Sequence, residues 1–349
     1  MKRSLIIVLA LCAAACGPRG SSGSGNNEPQ KEVAPEFGCM QIPAEAPVPA
    51  PSRSFPNLSV PKIYGENTAE AQEYVLEHYW DNFLEGDGIT GPQTILGVSD
   101  DEVDQAVSNY VEILSIVKSE ATPEDLAPLH RAQGSIRNFF KNLEKKQLAD
   151  TSALTYLRLT ELVSHYLYDP ISPARDEDLY LPFVEAMEKS PCTRDDMRNA
   201  YRHELKMCRT NTFGQAVPDF RFSDIKAHKN TLYGVKADYT MLFFSNPGCE
   251  SCKEIIHDVM SRRYIESYIS EGKLAIVNIY IDEEVDKWRD YSPNYPKSWI
   301  NGYDYTFSLR DSGKYDIRAI PSLYLLDSHK RVLMKDAPTE RVLSFLDTI

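Results

Sequence analysis

The sequence predicts an all-α body over about residues 63–212, followed over 213–349 by an α/β body whose central mixed sheet is flanked by helices. Three observations carry this. Apolar residues recur at helical spacing as far as Cys208, and past Pro218 the spacing becomes that of strands. The run "KLAIVNIYID" is apolar without alternation, as a strand covered on both faces is. At 349 residues, 42% of them hydrophobic, the chain is long enough for two cores. Its net charge of -13 is spread along the chain with no basic stripe, which argues against nucleic acid as a partner.

The chain opens with Lys2 and Arg3, then "LIIVLALCAAA", too short to span a membrane and ending in small residues as secretory signals do. "AAAC", Ala13 to Cys16, resembles a bacterial lipobox, although Ala13 stands where leucine is usual. The resemblance implies that residues 1–15 are a lipoprotein signal peptide, that Cys16 carries lipid, and that the protein is anchored in the bacterial envelope facing the periplasm. Ordinary secretion with cleavage after Ala15, or an uncleaved anchor, is the alternative. Residues 16–62 are rich in Pro, Gly, Ser and Ala and are expected to form a disordered tether, with Cys39 inside it.

In the helical part, "TAEAQEYVLEHYWDNFL" places Ala71, Val75, Tyr79 and Phe83 one turn apart. "SDDEVDQAVSNYVEILSIV" opens with Ser99 and Glu102 at capping-box spacing and sets Val103, Val107, Tyr110 and Leu114 on one face. Thr122-Pro123 predicts another helix start. "ALTYLRLTELVSHYLYD" is amphipathic and closes at Asp169-Pro170, and "TRDDMRNAYRHELKMC" is the last helix. Cys192 and Cys208, 16 residues apart, are candidates for a structural disulfide, whose loop closure would contribute about 3 kcal/mol.

In the α/β part, "DFRFSDI" and "NTLYGV" form a short strand pair and "YTMLFFS" is a buried strand. "CESCKEIIHDVMSRRYIESYIS" is a helix, "KLAIVNIYID" a strand and "EEVDKWRDY" a helix. "SLYLLDSHKRVLMK" gives two strands about a turn at Asp327 to Lys330, and "TERVLSFLDTI" a closing helix.

Chemistry concentrates in "SNPGCESCKE", where a strand meets a helix. Two residues between Cys249 and Cys252 bring both sulfurs to one helical turn, within reach of a disulfide. The first cysteine faces unpaired N–H groups and the positive end of the helix dipole, which favours its thiolate. Cys249 is therefore the nucleophile and Cys252, one turn in, the resolving thiol. A zinc site would need more ligands, and His257 has no histidine three to five residues further on. A purely structural disulfide is the remaining alternative. Glu250 opposes the dipole's effect on Cys249 and Lys253 reinforces it, so both are candidate tuning residues.

The strand "TMLFFSNPGC" leading into the Cys249–Cys252 helix, the strand "KLAIVNIYIDE" and the motif "YDIRAIPSLYLLD" together resemble the TlpA/ResA-type thiol-disulfide oxidoreductases of the thioredoxin-like superfamily. The resemblance implies a thioredoxin-like fold for the α/β part and a cis peptide at Pro321 facing the dithiol. Ile320 would then present its backbone to an extended substrate peptide. Three departures stand out: Gly248 replaces the usual tryptophan, Glu250-Ser251 replaces Gly-Pro, and Phe243 occupies the place of the buried acid of thioredoxins. A peroxiredoxin signature does not fit either cysteine. "EYVLEHYWDNF" resembles the start of a helical domain of unknown function found ahead of thioredoxin-like domains in envelope lipoproteins.

The expected function is an envelope-anchored enzyme that reduces or exchanges protein disulfides, with Cys249–Cys252 as its redox group and no separate cofactor or metal. No nicotinamide or flavin fingerprint is present, so electrons would pass to or from a membrane protein. The alternative is a lipoprotein interaction module with a structural or vestigial dithiol.

Overall fold

The computed structural model describes residues 51–64 and 68–349. The signal peptide, Cys16, Cys39 and most of the tether lie outside the described residues. Residues 51–60 are not a free tether. Arg53 donates through Nε to the Leu96 carbonyl and through Nη2 to that of Phe83, both at 2.7 Å, and Phe55 stacks 5.1 Å from the Phe83 ring. An aromatic ring and a guanidinium that find such partners hold a segment whose composition alone reads as coil.

The helical region comprises α1 (Ala69–His78), α2 (Asp81–Leu84), a small hairpin of β1 (Thr94–Ile95) and β2 (Val98–Ser99), α3 (Asp100–Ser119), α4 (Ala127–Ala149), α5 (Thr155–Leu167), α6 (Glu177–Lys189) and α7 (Asp195–Cys208). Over α1, α2 and the two residues that join them, the buried side chains are Ala71, Leu76, Trp80, Phe83 and Leu84, while Val75 and Tyr79 are half-buried. Ser99 caps α3 by accepting the Glu102 N–H at 3.4 Å, and Val103, Val107, Tyr110 and Leu114 are buried as their spacing predicts. Helix α4 begins at Ala127, four residues later than Thr122-Pro123 predicts. Thr122 and Asp125 bond each other's backbones in a closed turn, and Asp125 Oδ1 then takes the Ala127 N–H at 3.0 Å.

The sheet region comprises β3 (Arg221–Ser223), β4 (Lys229–Thr231), β5 (Tyr239–Phe244), α8 (Glu250–Ser261), α9 (Tyr264–Ser270), β6 (Leu274–Tyr280), α10 (Val285–Tyr291), β7 (Ile300–Tyr303), α11 (Ser308–Asp311), β8 (Ser322–Asp327), β9 (Val332–Lys335) and α12 (Thr339–Leu346). The seven strands run in the order β4-β3-β7-β6-β5-β8-β9, with β5, β6 and β7 parallel and the other pairs antiparallel. The predicted single helix from Cys249 to Ser270 is broken at Arg262, whose ψ of 113° leaves the helical region. Val259 and Ile265 both pack on the sheet. Six residues apart in one straight helix they would point about 120° apart, so the break lets both reach the core. Strand β7 is absent from the sequence reading because Asn301-Gly302 reads as a turn. Gly302 is required there: a Cβ would come 2.7 Å from the Phe222 ring across the β3–β7 contact.

One face of the sheet buries Leu242, Phe244, Val277, Ile279 and Tyr324. The other buries Met241, Phe243, Ile276 and Leu323 beneath Cys252, Val259, Ile265 and Leu343 of α8, α9 and α12. The segment after α7 lies along β9, with Gly214 N–H to Val332 O at 2.8 Å and Val217 N–H to Lys330 O at 2.9 Å. This covers an edge that would otherwise be open. Leu333 packs into both the helical core and the core beneath α8.

Candidate active site

Strand β5 ends at Phe244 and the chain turns through Ser245–Gly248 before entering α8. The turn closes with the Cys249 N–H on the Asn246 carbonyl at 3.3 Å. Asn246 Nδ2 also donates to Asp282 Oδ2, 3.0 Å away at the end of β6. Gly248 has φ +75°, a conformation that costs an L side chain about 1–2 kcal/mol. A Cβ there would meet nothing within 4 Å, so backbone freedom and not space explains the glycine.

Cys249 is the N-cap of α8: its Sγ accepts the Cys252 N–H at 3.2 Å. The two cysteines form a disulfide, with Cα atoms 5.2 Å apart. Cys249 is half-buried and Cys252 only 2% exposed, lying among Phe243, Leu323 and Trp299. One sulfur is thus reachable from solvent and the other is shielded. Glu250 and Lys253 are both exposed and pair with each other at 2.6 Å, and that bond raises the Lys253 ammonium. The two residues expected to act on Cys249 in opposite senses thus lie against each other.

The Ile320–Pro321 peptide is cis. Its position follows from the ladder: Ser322, the next residue, pairs with Phe244, the last residue of β5. Both the cysteine turn and the cis peptide therefore leave the sheet at the same end, and Ile320 and Cys249 pack against the same buried cluster. Phe243, expected from the sequence to stand in place of a buried acid, is fully buried. Beside it runs a polar row that the sequence reading did not identify: Ser245 Oγ donates to Asn278 Oδ1 at 2.5 Å, and Asn278 Nδ2 donates to Asn301 Oδ1 at 2.9 Å. Asn246 and Asp282 were missed as well. Their signal was the Asn-Pro turn before the cysteines and an acid closing "KLAIVNIYID".

Cys192 and Cys208 are free thiols and do not form the clip expected of them. The reason is α7 itself. Cys192 lies just before its first turn and Cys208 is its last residue; 14 residues at about 1.5 Å of rise each hold the helix ends roughly 20 Å apart, whereas a disulfide requires Cα atoms within about 7 Å. Burial is the main cause that pushes both thiols up.

A family model described as a domain of unknown function, DUF5106, matches residues 20–211. No curated protein matches the chain. Among solved structures, a thioredoxin-like protein from Bacteroides caccae is 33% identical with a TM-score of 0.66, the match covering 84% of this chain and 99% of that one. The C-terminal domain of an uncharacterized protein from Bacteroides fragilis is 39% identical over 40% of this chain and 99% of its own, with a TM-score of 0.38. Helical region and sheet region together are thus similar to one thioredoxin-like protein over nearly its whole length. With more than half of its residues matched, the chain belongs to the DUF5106 family, and it carries a thioredoxin-like fold after the matched segment.

Proposed function

We propose that the protein is a TlpA/ResA-type thiol–disulfide oxidoreductase, held by lipid at Cys16 on the periplasmic side of a bacterial envelope. The observation that carries the reading is the asymmetry of the dithiol: Cys249 caps α8 and is reachable, while Cys252 is shielded one turn in. In the reduced enzyme the Cys249 thiolate attacks one sulfur of a substrate disulfide. A mixed disulfide forms and the other substrate sulfur leaves as a thiolate. Cys252 loses its proton and attacks Cys249 Sγ, which closes the intramolecular disulfide and expels the second substrate thiolate. Two electrons pass to the substrate, and the resulting disulfide awaits a membrane dithiol donor. With Phe243 in place of an acid, the Cys252 proton goes to water or to the departing thiolate. Ile320 and Pro321 hold the substrate strand beside Cys249.

Capture tests this. Cys252→Ser is expected to accumulate mixed disulfides on Cys249 in envelope extracts, and Cys249→Ser to accumulate none. Equal or absent capture by both variants, together with no reduction of insulin disulfides by the wild type, would leave an interaction module with a structural dithiol.

A further inference from the structure

The segment that leads into the cis peptide is gripped from the helical region. The Arg318 guanidinium lies 4.3 Å from the centroid of the Tyr168 ring. It donates through Nη1 to the Tyr168 carbonyl and through Nη2 to Asp336 Oδ2, each at 2.8 Å, and Nη2 stands 3.2 Å from Glu177 Oε1. Its partners are themselves fixed. Tyr168 stacks on Tyr180 with ring centroids 4.7 Å apart. Glu177 pairs with Lys335, whose Nζ also donates to the carbonyls of Met207 at 2.9 Å and Thr210 at 2.7 Å. Arg175 donates to the Asp336 carbonyl at 2.5 Å. Four residues earlier in the same segment, the Lys314 carbonyl accepts from Asn211 Nδ2 at 2.9 Å.

We propose that Arg318 is a positioning residue for Ile320 and Pro321, and that the helical region serves the redox site by holding the substrate-binding loop through it. The role in substrate binding rests on the oxidoreductase reading; the holding of the loop does not. Only Ala319 separates Arg318 from Ile320. A planar guanidinium that fills two acceptors and lies on a ring has its orientation fixed, which an ammonium on the same stem would not have. Buried ion pairs of this kind add little net stability compared with apolar packing, so their natural contribution is geometric. The loop beyond Arg318 joins β8 at Ser322, opposite Phe244, five residues before Cys249. A loop released at Arg318 would lose its setting against the dithiol without altering the dithiol itself.

The test uses the whole chain and insulin as the disulfide probe. Arg318→Met is expected to raise KM for insulin on the order of tenfold, the effect of losing a charge-assisted bond, with kcat held within about twofold. Arg318→Lys should fall between the two, and Glu177→Gln should move KM the same way by less. The equilibrium of the Cys249–Cys252 couple with glutathione is expected to stay where it is. Amides of residues 314–320 are expected to exchange with deuterium faster in Arg318→Met than in the wild type. Unchanged KM and unchanged exchange would overturn the proposal, as would a shift of the glutathione equilibrium in step with the loss of activity. A wild-type protein that leaves insulin intact would remove the oxidoreductase reading, and exchange over 314–320 would then decide by itself whether the helical region holds the loop.

Discussion

At the mouth of α8 the Cys249 sulfur meets the Cys252 N–H at 3.2 Å, and it is the less buried member of the pair. A thiolate formed there replaces that contact with a charge-assisted one and gains from the positive end of the helix dipole. Cys252 has no such position. It sits among apolar side chains, where an isolated anion is disfavoured. The described cysteines outside the pair are set apart by the same physics: Cys208 is buried in the helical core and Cys192 is half-buried, and desolvation pushes both thiols up. Reduced protein should therefore carry one reactive thiol among the described residues, Cys249, with its pKa below the usual value of about 8.5. The Glu250–Lys253 pair leaves this expectation in place, because the two charges beside the cysteine oppose each other's effect.

Helix α6 shows how an element can be stable and still be hard to read. Pro182 lies inside it and cannot donate to the Asp178 carbonyl one turn back. Gln133 of α4, itself buried, supplies the missing bond: its Nε2 donates to that carbonyl at 2.9 Å. Gln133→Ala is expected to cost about 1–3 kcal/mol in urea unfolding, the penalty of a buried carbonyl left unpaired. In a Pro182→Ala background the peptide N–H returns and most of that penalty should vanish, so a double-mutant cycle reads the pairing directly. The same contrast explains what the sequence made legible. Ser99 and Glu102 mark α3 by local chemistry, and the apolar runs of β5 and β6 and the turn at Asp327–Lys330 announce themselves. The dithiol was legible for the same reason, since its two cysteines are local to one turn. Helix α6 was hidden by its proline, β7 by Asn301-Gly302, and the break at Arg262 by a helical composition on both sides. Gln133, Asp282 and Arg318 act on partners 45, 36 and 150 residues away, and no spacing within a window can reveal such pairs.

Over the whole molecule, the helical and sheet regions meet across buried charges. Lys118 bonds Asp176 at 2.6 Å and Asp178 at 2.7 Å, Arg341 reaches Asp176 at 2.7 Å, and Glu177 sits between Lys335 and Arg318. Burial most strongly opposes ionisation of Asp176, yet Lys118 and Arg341 together hold its carboxyl below the ordinary range. Glu177 goes the other way: burial chiefly, with Asp316 adding to it against the pull of Lys335 and Arg318, pushes its carboxyl from an ordinary 4.5 up to about 7. A carboxyl raised on folding binds its proton more tightly in the folded state, so its contribution to stability is complete below about 4.5 and is lost as pH rises through about 7. Urea unfolding across that interval should show stability falling with pH from this source, and Glu177→Gln should flatten the slope. The most direct test of the redox assignment is timed alkylation of the fully reduced protein with iodoacetamide across pH, with each cysteine followed by peptide mass. Selective modification of Cys249 with a midpoint below about 8.5, while Cys252 stays protected, is the result expected here. Labelling of Cys252 first, or a Cys249 that reacts no sooner than Cys192 and Cys208, would contradict it.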